Sequence, residues 1–388
     1  MALGFGAIYA LVLVGSAWLS DRAGSQGLYA VAVASGPVDV DAITLSIADT
    51  QAAGMLGAGL AVGAIAVAVA VNTLVKIGLV AAIAGARAGL AVAAIVTVVA
   101  VVLAARDAAG RDQAGDHLGA ADAVVLGVVE GLTEWLPISS TGHLTVTQDL
   151  LRIDGDAADS YAIAIQSGAI LAVLLLFRER FETMFRGIQG KDPQGRAVFI
   201  AVVLACVPAA TIGLTAEDTI KDNLFGTGPV VVAWFVGGLV ILAVARYRRG
   251  LDPAAGDPLT ALTWQKALVI GCAQSLALWP GVSRSLVTII AATLLGLSIL
   301  AAVEFSFLLG FVTLGGATAY ELVSSGEVML EAYGLAMPLL GLAVAFVSAV
   351  AAMRWMVGYL QHHSLAIFGW YRIALALLVG LLLATGAV

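Results

Sequence analysis

Long apolar runs separated by short polar segments dominate the chain. A helix needs roughly 20 mostly apolar residues to cross the hydrocarbon core of a membrane, so runs of this length predict spanning helices. The predicted spans are Gly4–Leu19, Met55–Val71, Gly78–Ala105, Tyr161–Phe177, Ala197–Thr215, Gly228–Ala245, Leu286–Tyr320 (in two pieces), Tyr333–Met353 and Leu365–Val388. The pattern predicts an all-α, polytopic membrane protein.

Composition supports a membrane environment. Hydrophobic residues make up 61% of the 388 residues, and charged residues only 12%, against about 25% charged in soluble domains. Such a chain could not cover its surface with polar groups in water, so membrane lipids are its expected surroundings. The formal net charge of -7 is spread over the loops with no basic run, so no nucleic-acid partner is predicted.

The most polar stretch of the chain, Arg106–Asp122, predicts a domain boundary. We expect an N-terminal transmembrane domain over residues 1–112 and a second domain over residues 122–388. The first apolar run has no basic segment before it and no clear cleavage site, which indicates a retained membrane helix.

Basic loops predict the orientation in the membrane. One loop contains Arg178–Arg196 and a second contains Arg246–Lys266, with five and four basic residues. The acidic loop with Glu217, Asp218 and Asp222 lies between them. Because one span separates each neighbouring pair of loops, the two basic loops share a side, which is predicted to be cytoplasmic.

Two polar motifs interrupt the apolar pattern and are related to each other. They are Leu126–Leu144 (LGVVEGLTEWLPISSTGHL) and Ile270–Ile289 (IGCAQSLALWPGVSRSLVTI). A shift of 144 positions superposes Gly127 on Gly271, Trp135 on Trp279 and Ser139 on Ser283. The copies are expected to enter from opposite sides of the membrane, as in an inverted repeat whose halves meet near the midplane.

Each motif predicts a re-entrant helical hairpin with an anion site at its tip. Pro137 and Pro280 cannot continue a helix, and a bend inside lipid is tolerated only where it is buried or lines a wet cavity. Hydroxyls and free backbone N–H groups at the start of the next helix form an anion site. The candidate phosphate-binding residues are Ser139, Ser140, Thr141, Ser283 and Ser285, with Arg284 adding a bidentate positive charge.

Glu130 and Glu134 lie four residues apart, and so on one helical face. Two carboxylates on an apolar membrane helix are costly and usually functional. Their spacing suits a shared divalent cation, Mg²⁺ or alternatively Ca²⁺, which would in turn hold a diphosphate. The alternative is a structural ion pair, for which Arg284 is the obvious partner.

His143 follows the hydroxyls closely enough to act as a base, an acid or a nucleophile on phosphorus. A structural histidine at the start of a helix is the alternative. Gln166 is a candidate polar contact behind the site or a helix–helix hydrogen bond. Glu304 is expected to support the second motif, and Trp135 to pack or anchor the hairpin.

The string EGLTEWLPISSTGH, together with ALWPGVSRS followed by EFSFLL, resembles the two signatures of the undecaprenyl-diphosphate phosphatase (bacitracin-resistance-type) family. The resemblance extends from about Asp122 to the C-terminus. It implies an inverted repeat with two re-entrant hairpins in the plasma membrane. The implied reaction removes the terminal phosphate of a C55 polyprenyl diphosphate, with a divalent cation, and recycles the carrier of cell-wall synthesis. A homodimer is left open.

Carried over by position, the resemblance implies functional roles for Glu130, Glu134, Ser140, Thr141, His143, Ser283, Arg284 and Ser285. Leu286 stands where the family has Gly, so its bulk is expected to narrow the phosphate pocket. The N-terminal segment resembles part of an uncharacterised bacterial and archaeal membrane protein family, which brings no known chemistry. The alternative function is a lipid-phosphate or phosphate transporter, since inverted repeats with re-entrant hairpins are also transporter architecture.

Overall fold

The computed structural model describes residues 118–224, 226–252 and 255–384, besides three isolated positions. The chain divides into two compact units, Met1–Ala108 and Ala109–Val388. All helices with described bounds lie in the second unit. The predicted spans Gly4–Leu19, Met55–Val71 and Gly78–Ala105 lie outside the described residues.

The second unit is built from α-helices, and no strand occurs among the described residues. Two short 3-10 helices, Leu259–Ala261 and Ser275–Leu278, accompany them. The α-helices are α1 Ala120–Thr133, α2 Ser140–Leu151, α3 Asp156–Leu176, α4 Arg178–Ile188, α5 Pro193–Leu224, α6 Thr227–Tyr247, α7 Trp264–Gln274, α8 Arg284–Leu294, α9 Ile299–Ser324, α10 Gly326–Tyr333, α11 Ala336–Leu360 and α12 Ala366–Ala384.

Five of these helices are long and apolar enough to cross a membrane: α3, residues Pro193–Ala216 of α5, α6, α9 and α11. They confirm the polytopic all-α prediction. The long run Leu286–Tyr320 divides into α8 and α9, as predicted, and Gly296 has a φ of 100° in the turn between them.

The predicted acidic loop after α5 is wrong. After a non-helical residue at Ala216, the chain continues as helix to Leu224. Acidic residues are compatible with a helix, whereas a glycine with positive φ commonly follows the end of one. Gly226, with a φ of 114°, precedes the next helix.

The repeat found in the sequence is also a repeat of structure. Helix α1 begins at Ala120 and α7 at Trp264, and α2 begins at Ser140 and α8 at Arg284, so both pairs keep the shift of 144 positions. The residues before α2 and α8 adopt the same uncommon backbone conformation, with φ values of 73° at Ser139 and 75° at Ser283. Helices α1–α6 and α7–α12 therefore form two related halves.

The packing of the hairpin helices shows the same repeat. Hairpin helix α1 packs on α11 of the other half, and its counterpart α7 packs on α5. Glycines allow both close approaches, because a Cβ atom at Gly127 would meet the backbone of Gly341 and one at Gly271 would meet that of Ala205. Gly127 and Gly271 are equivalent positions of the repeat. Further contacts between the halves pair α3 with α9, α10 and α11, α5 with α9, and α6 with α12.

The hairpins are too short to cross the membrane and enter from opposite sides. Helices α1 and α2 contain 14 and 12 residues, about 21 and 18 Å at 1.5 Å per residue, against a hydrocarbon core of about 30 Å. Three candidate spans lie between the first hairpin and the second, namely α3, α5 and α6. An odd number of crossings reverses the side of entry, as the predicted inverted repeat requires.

Candidate active site

The tips of the two hairpins meet at the centre of the unit. Arg284 Nη2, at the start of α8, donates to Glu134 Oε1, at the end of α1, over 3.0 Å. Ser285 Oγ donates to the carbonyl of Leu136 in the first turn over 2.8 Å. The two motifs that the repeat predicted to meet therefore do so through a charged pair and a hydroxyl–carbonyl bond.

Glu134 is the most connected acidic group of the site. Its second oxygen, Oε2, accepts from the hydroxyl of Ser140 and, over 3.4 Å, from the side-chain amide of Gln166. Gln166 is itself oriented by Thr318, whose hydroxyl donates to Gln166 Oε1 over 3.1 Å. Gln166 therefore contacts the site through Glu134 and also links α3 to α9.

Arg284 is held on several sides at once. Nη1 donates to the carbonyl of Ser306 in α9 over 3.1 Å, and the guanidinium carbon lies 5.0 Å from the ring centre of Trp135. A Cβ atom at Gly310 would overlap the guanidinium group. Trp135 is fully buried and donates from Nε1 to the carbonyl of Ala169, so it packs inside the protein beneath Arg284.

The serines of the second hairpin form a local network. The Ser283 and Ser285 hydroxyls lie 3.0 Å apart, and Ser283 Oγ accepts from the backbone N–H of Leu286 over 3.3 Å, which caps α8. The side chain of Leu286 is 4% exposed and belongs to the apolar core. Its bulk is therefore taken up by core packing, and whether it narrows the phosphate pocket stays a prediction.

The three hydroxyl residues of the first hairpin differ in their exposure. Helix α2 begins at Ser140, with Ser139 before it. Ser139 and Ser140 are buried, whereas Thr141 is exposed. Among the described residues, the hydroxyl of Ser140 contacts the charged pair directly, and the hydroxyl of Thr141 is left facing outward.

His143 has both ring nitrogens engaged. Nδ1 lies 2.6 Å from the carbonyl of Ser139, which can only accept, so Nδ1 carries the proton. Nε2 lies 2.8 Å from the hydroxyl of Tyr371, and the two rings are stacked at 5.7 Å. Tyr371 belongs to α12, so this helix contributes to the orientation of the histidine.

Glu130 differs from every other acidic group of the site. It is 0% exposed, and neither carboxylate oxygen has a hydrogen-bond partner among the described residues. A buried carboxylate without a partner is costly, and a bound cation is one arrangement that lowers this cost. Within the described part of the chain, no group of three His, Cys, Asp or Glu side chains could hold a metal alone. The donor set fits a hard cation that takes its remaining ligands from water and phosphate oxygens.

Two side chains of the site were not assigned a role from the sequence. Tyr371 contacts His143, and Arg372, which is fully buried, donates to backbone carbonyls in the part of the chain that the structure describes. Arg372 is the single charged residue of the predicted span Leu365–Val388, and a lone charge within an apolar helix is the signal that marks it. Glu304, by contrast, pairs with Arg180 of α4 at 2.6 Å and not with the second hairpin motif.

The assembled groups suit chemistry on a phosphoryl group. A carboxylate in contact with a serine hydroxyl can accept its proton, and a buried guanidinium can bind phosphate oxygens. The start of α2 adds backbone N–H groups beside Ser140. Glu134, Ser140 and Arg284 thus form one connected unit.

Comparison with known proteins agrees with this chemistry. A family profile described as bacitracin resistance protein BacA matches residues 123–378. A second profile, a domain of unknown function (DUF4010), matches residues 1–85.

Curated relatives carry the name undecaprenyl-diphosphatase. A protein of Sorangium cellulosum is 47% identical over 259 residues, which cover 66% of this chain and 84% of the relative. A Nitrosomonas europaea protein is 43% identical over 266 residues, which cover 69% of this chain and 95% of the relative. A Methylococcus capsulatus protein is 42% identical over 262 residues, which cover 66% of this chain and 93% of the relative. The chain belongs to the bacitracin resistance protein BacA family.

Proposed function

We propose that this chain is an undecaprenyl-diphosphatase. It hydrolyses undecaprenyl diphosphate to the monophosphate and inorganic phosphate, and so recycles the lipid carrier of cell-wall synthesis. Family membership and relatives of 42–47% identity with that name support the assignment. The observation in this chain that carries it is the contact of Glu134 with both Ser140 and Arg284. The transporter alternative receives no support, since these relatives are named as diphosphatases.

The geometry favours Ser140 as the attacking group. Its hydroxyl already donates to Glu134, which can take the proton as a P–O bond forms between Ser140 and the terminal phosphorus. The bond from this phosphorus to the bridging oxygen then breaks, and its electron pair leaves with undecaprenyl monophosphate. Water attacks the phosphoserine in a second step, releasing inorganic phosphate and returning the proton to Ser140. His143, whose nitrogens are both engaged, is better suited to orient or relay a proton than to attack.

Arg284 and the hydroxyls of the second hairpin would bind the diphosphate. The guanidinium is 11% exposed and fixed by Glu134 and Ser306, so it needs little rearrangement as negative charge develops. Ser139 and Thr141 on one side, and Ser283 and Ser285 on the other, are the proposed substrate contacts. Gln166 would act indirectly, by fixing the Glu134 carboxylate.

We propose a divalent cation, Mg²⁺ or alternatively Ca²⁺, as the cofactor. Glu130 is its principal ligand, because neither of its oxygens has a hydrogen-bond partner among the described residues, whereas Glu134 is largely occupied by Arg284 and Ser140. When bound, the cation neutralises phosphate charge. Glu134 is thereby the weaker of the two metal ligands predicted from the sequence.

The expected location is the plasma membrane, where the lipid carrier is used. The five spanning helices support a multi-pass protein. The basic segments Arg178–Arg196 and Arg246–Lys266 are proposed to face the cytoplasm. A homodimer stays a prediction, to be tested by size in detergent.

Phosphate release from C55 diphosphate by purified full-length protein tests the function. We expect release with Mg²⁺, none with EDTA, and none from Ser140→Ala. Thr145→Ala is the matched control, because its hydroxyl lies further along α2 and bonds only to the carbonyl of Thr141. Release by Ser140→Ala at the rate of Thr145→Ala would remove Ser140 as nucleophile. Absence of release from any folded wild-type sample would overturn the phosphatase assignment.

A further inference from the structure

Within the described residues, Arg372 is a buried charge whose hydrogen bonds all go to backbone carbonyls. Its side chain is 0% exposed on α12. It donates to the carbonyls of Ala233 and Gly281 over 2.8 Å each, of Trp234 over 3.3 Å and of Pro137 over 3.4 Å. No carboxylate lies within salt-bridge distance of it in the described part of the chain. A permanent charge inside a membrane protein is costly, and neutral donors could satisfy carbonyls at lower cost.

Two of its four acceptors are equivalent positions of the internal repeat. Pro137 lies in the turn of the first hairpin and Gly281 in that of the second, and the shift of 144 positions superposes them. One guanidinium group therefore bridges the same carbonyl in both turns. Each turn leads within three residues to a group of the site, Ser140 in one and Arg284 in the other.

Helix α12 also contacts the site through a second residue. Tyr371, the neighbour of Arg372 in sequence, contacts His143, so adjacent residues of α12 contact both the turns and the histidine.

We propose that Arg372 is a positioning residue for the phosphatase reaction, which holds the two hairpin turns in register. This inference rests on the proposed function. It assigns to α12 the task of keeping Ser140 and Glu134 aligned with Arg284, although α12 contributes no residue to either hairpin.

The first test replaces Arg372 and measures kcat and KM separately on C55 diphosphate. For Arg372→Met we expect kcat per folded molecule to fall by about 100-fold, the effect of misplacing reacting groups by about 1 Å. Arg372→Lys keeps the charge but lacks the planar fork, so its kcat should lie between those of wild type and Arg372→Met. Arg354→Met, at an exposed position of α11, is the control and should match the wild type.

A second variant displaces the guanidinium without removing it. A Cβ atom at Gly237 would overlap Arg372 Nη2 and lie 2.8 Å from Cζ, whereas at Gly228 of the same helix it would meet nothing within 4 Å. We expect Gly237→Ala to lower kcat at least about 10-fold, with a melting temperature close to that of Gly228→Ala. This pair keeps the test valid even if Arg372→Met does not fold.

The outcomes separate the two proposals. An active wild type together with a folded Gly237→Ala of unchanged kcat would overturn the positioning role and leave the phosphatase intact. If activity falls only in proportion to the amount of folded protein, while kcat per folded molecule is unchanged, the positioning role would also be overturned. An inactive wild type would instead contradict the proposed function itself.

Discussion

Arg284 Nη2 lies 3.0 Å from Glu134 Oε1, although the two residues are 150 positions apart in the chain. Both side chains are nearly buried, with 11% and 5% of their surface exposed. Each comes from the tip of a different hairpin, so this contact exists only when the two halves are assembled. The pair is therefore both a link between the halves and the charged centre of the candidate site.

Glu134 and Arg284 should behave as one unit in a double-mutant cycle. We expect Glu134→Gln and Arg284→Gln each to reduce kcat by about 10³-fold or more, because each loss misplaces the partner as well. The double variant should be little worse than the poorer single variant. Kinetics on C55 diphosphate measure this, and losses that simply multiply would contradict a connected unit.

Gly310→Ala should inactivate the enzyme without removing any functional group. The added methyl group would overlap the guanidinium of Arg284 and push it from Glu134. We expect a kcat lower by about 100-fold. Gly315→Ala on the same helix, where a Cβ atom meets nothing within 4 Å, is the matched control. Equal activity of the two variants would show that the observed position of Arg284 is not needed for turnover.

Glu130→Gln should make the protein more stable but weaken its response to Mg²⁺. Because the carboxylate is fully buried without a hydrogen-bond partner among the described residues, replacing its charge should raise the melting temperature measured in EDTA. The same change should raise the Mg²⁺ concentration needed for half-maximal activity at least about 10-fold, since a cation ligand is lost. A variant with unchanged Mg²⁺ dependence would remove Glu130 as the principal ligand.

Tyr371→Phe should affect turnover through His143. The substitution removes the hydroxyl that lies 2.8 Å from Nε2 and keeps the stacked ring. One neutral hydrogen bond corresponds to a loss of about tenfold at most, so we expect a modest fall in kcat and a changed pH profile. If His143 is oriented by Tyr371, His143→Ala and the double variant should have the same pH profile. Different profiles would mean that Tyr371 acts independently of His143.

Local features explain why much of the fold was predictable. Apolar runs report spans directly, and Pro137 and Pro280 interrupt the helices where the hairpins turn. The shift of 144 positions found in the sequence agrees with the starts of two helix pairs. The loop prediction after α5 fails because charged residues are compatible with a helix, and the chain stays helical up to Leu224.

The sequence alone was sufficient to determine the membrane class, the two hairpins, their repeat and the candidate residues for phosphate binding, because each follows from a local pattern or from similarity between segments. The tertiary structure decided which of these groups touch. Glu130 lacks a hydrogen-bond partner among the described residues, and Thr141 is exposed, because of the way the helices pack. The same packing brings Tyr371 into contact with His143, although the two are 228 positions apart in the chain. It also places Arg372 between Pro137 and Gly281. Contacts at such separations depend on how the two halves assemble, and the local sequence pattern does not determine that assembly.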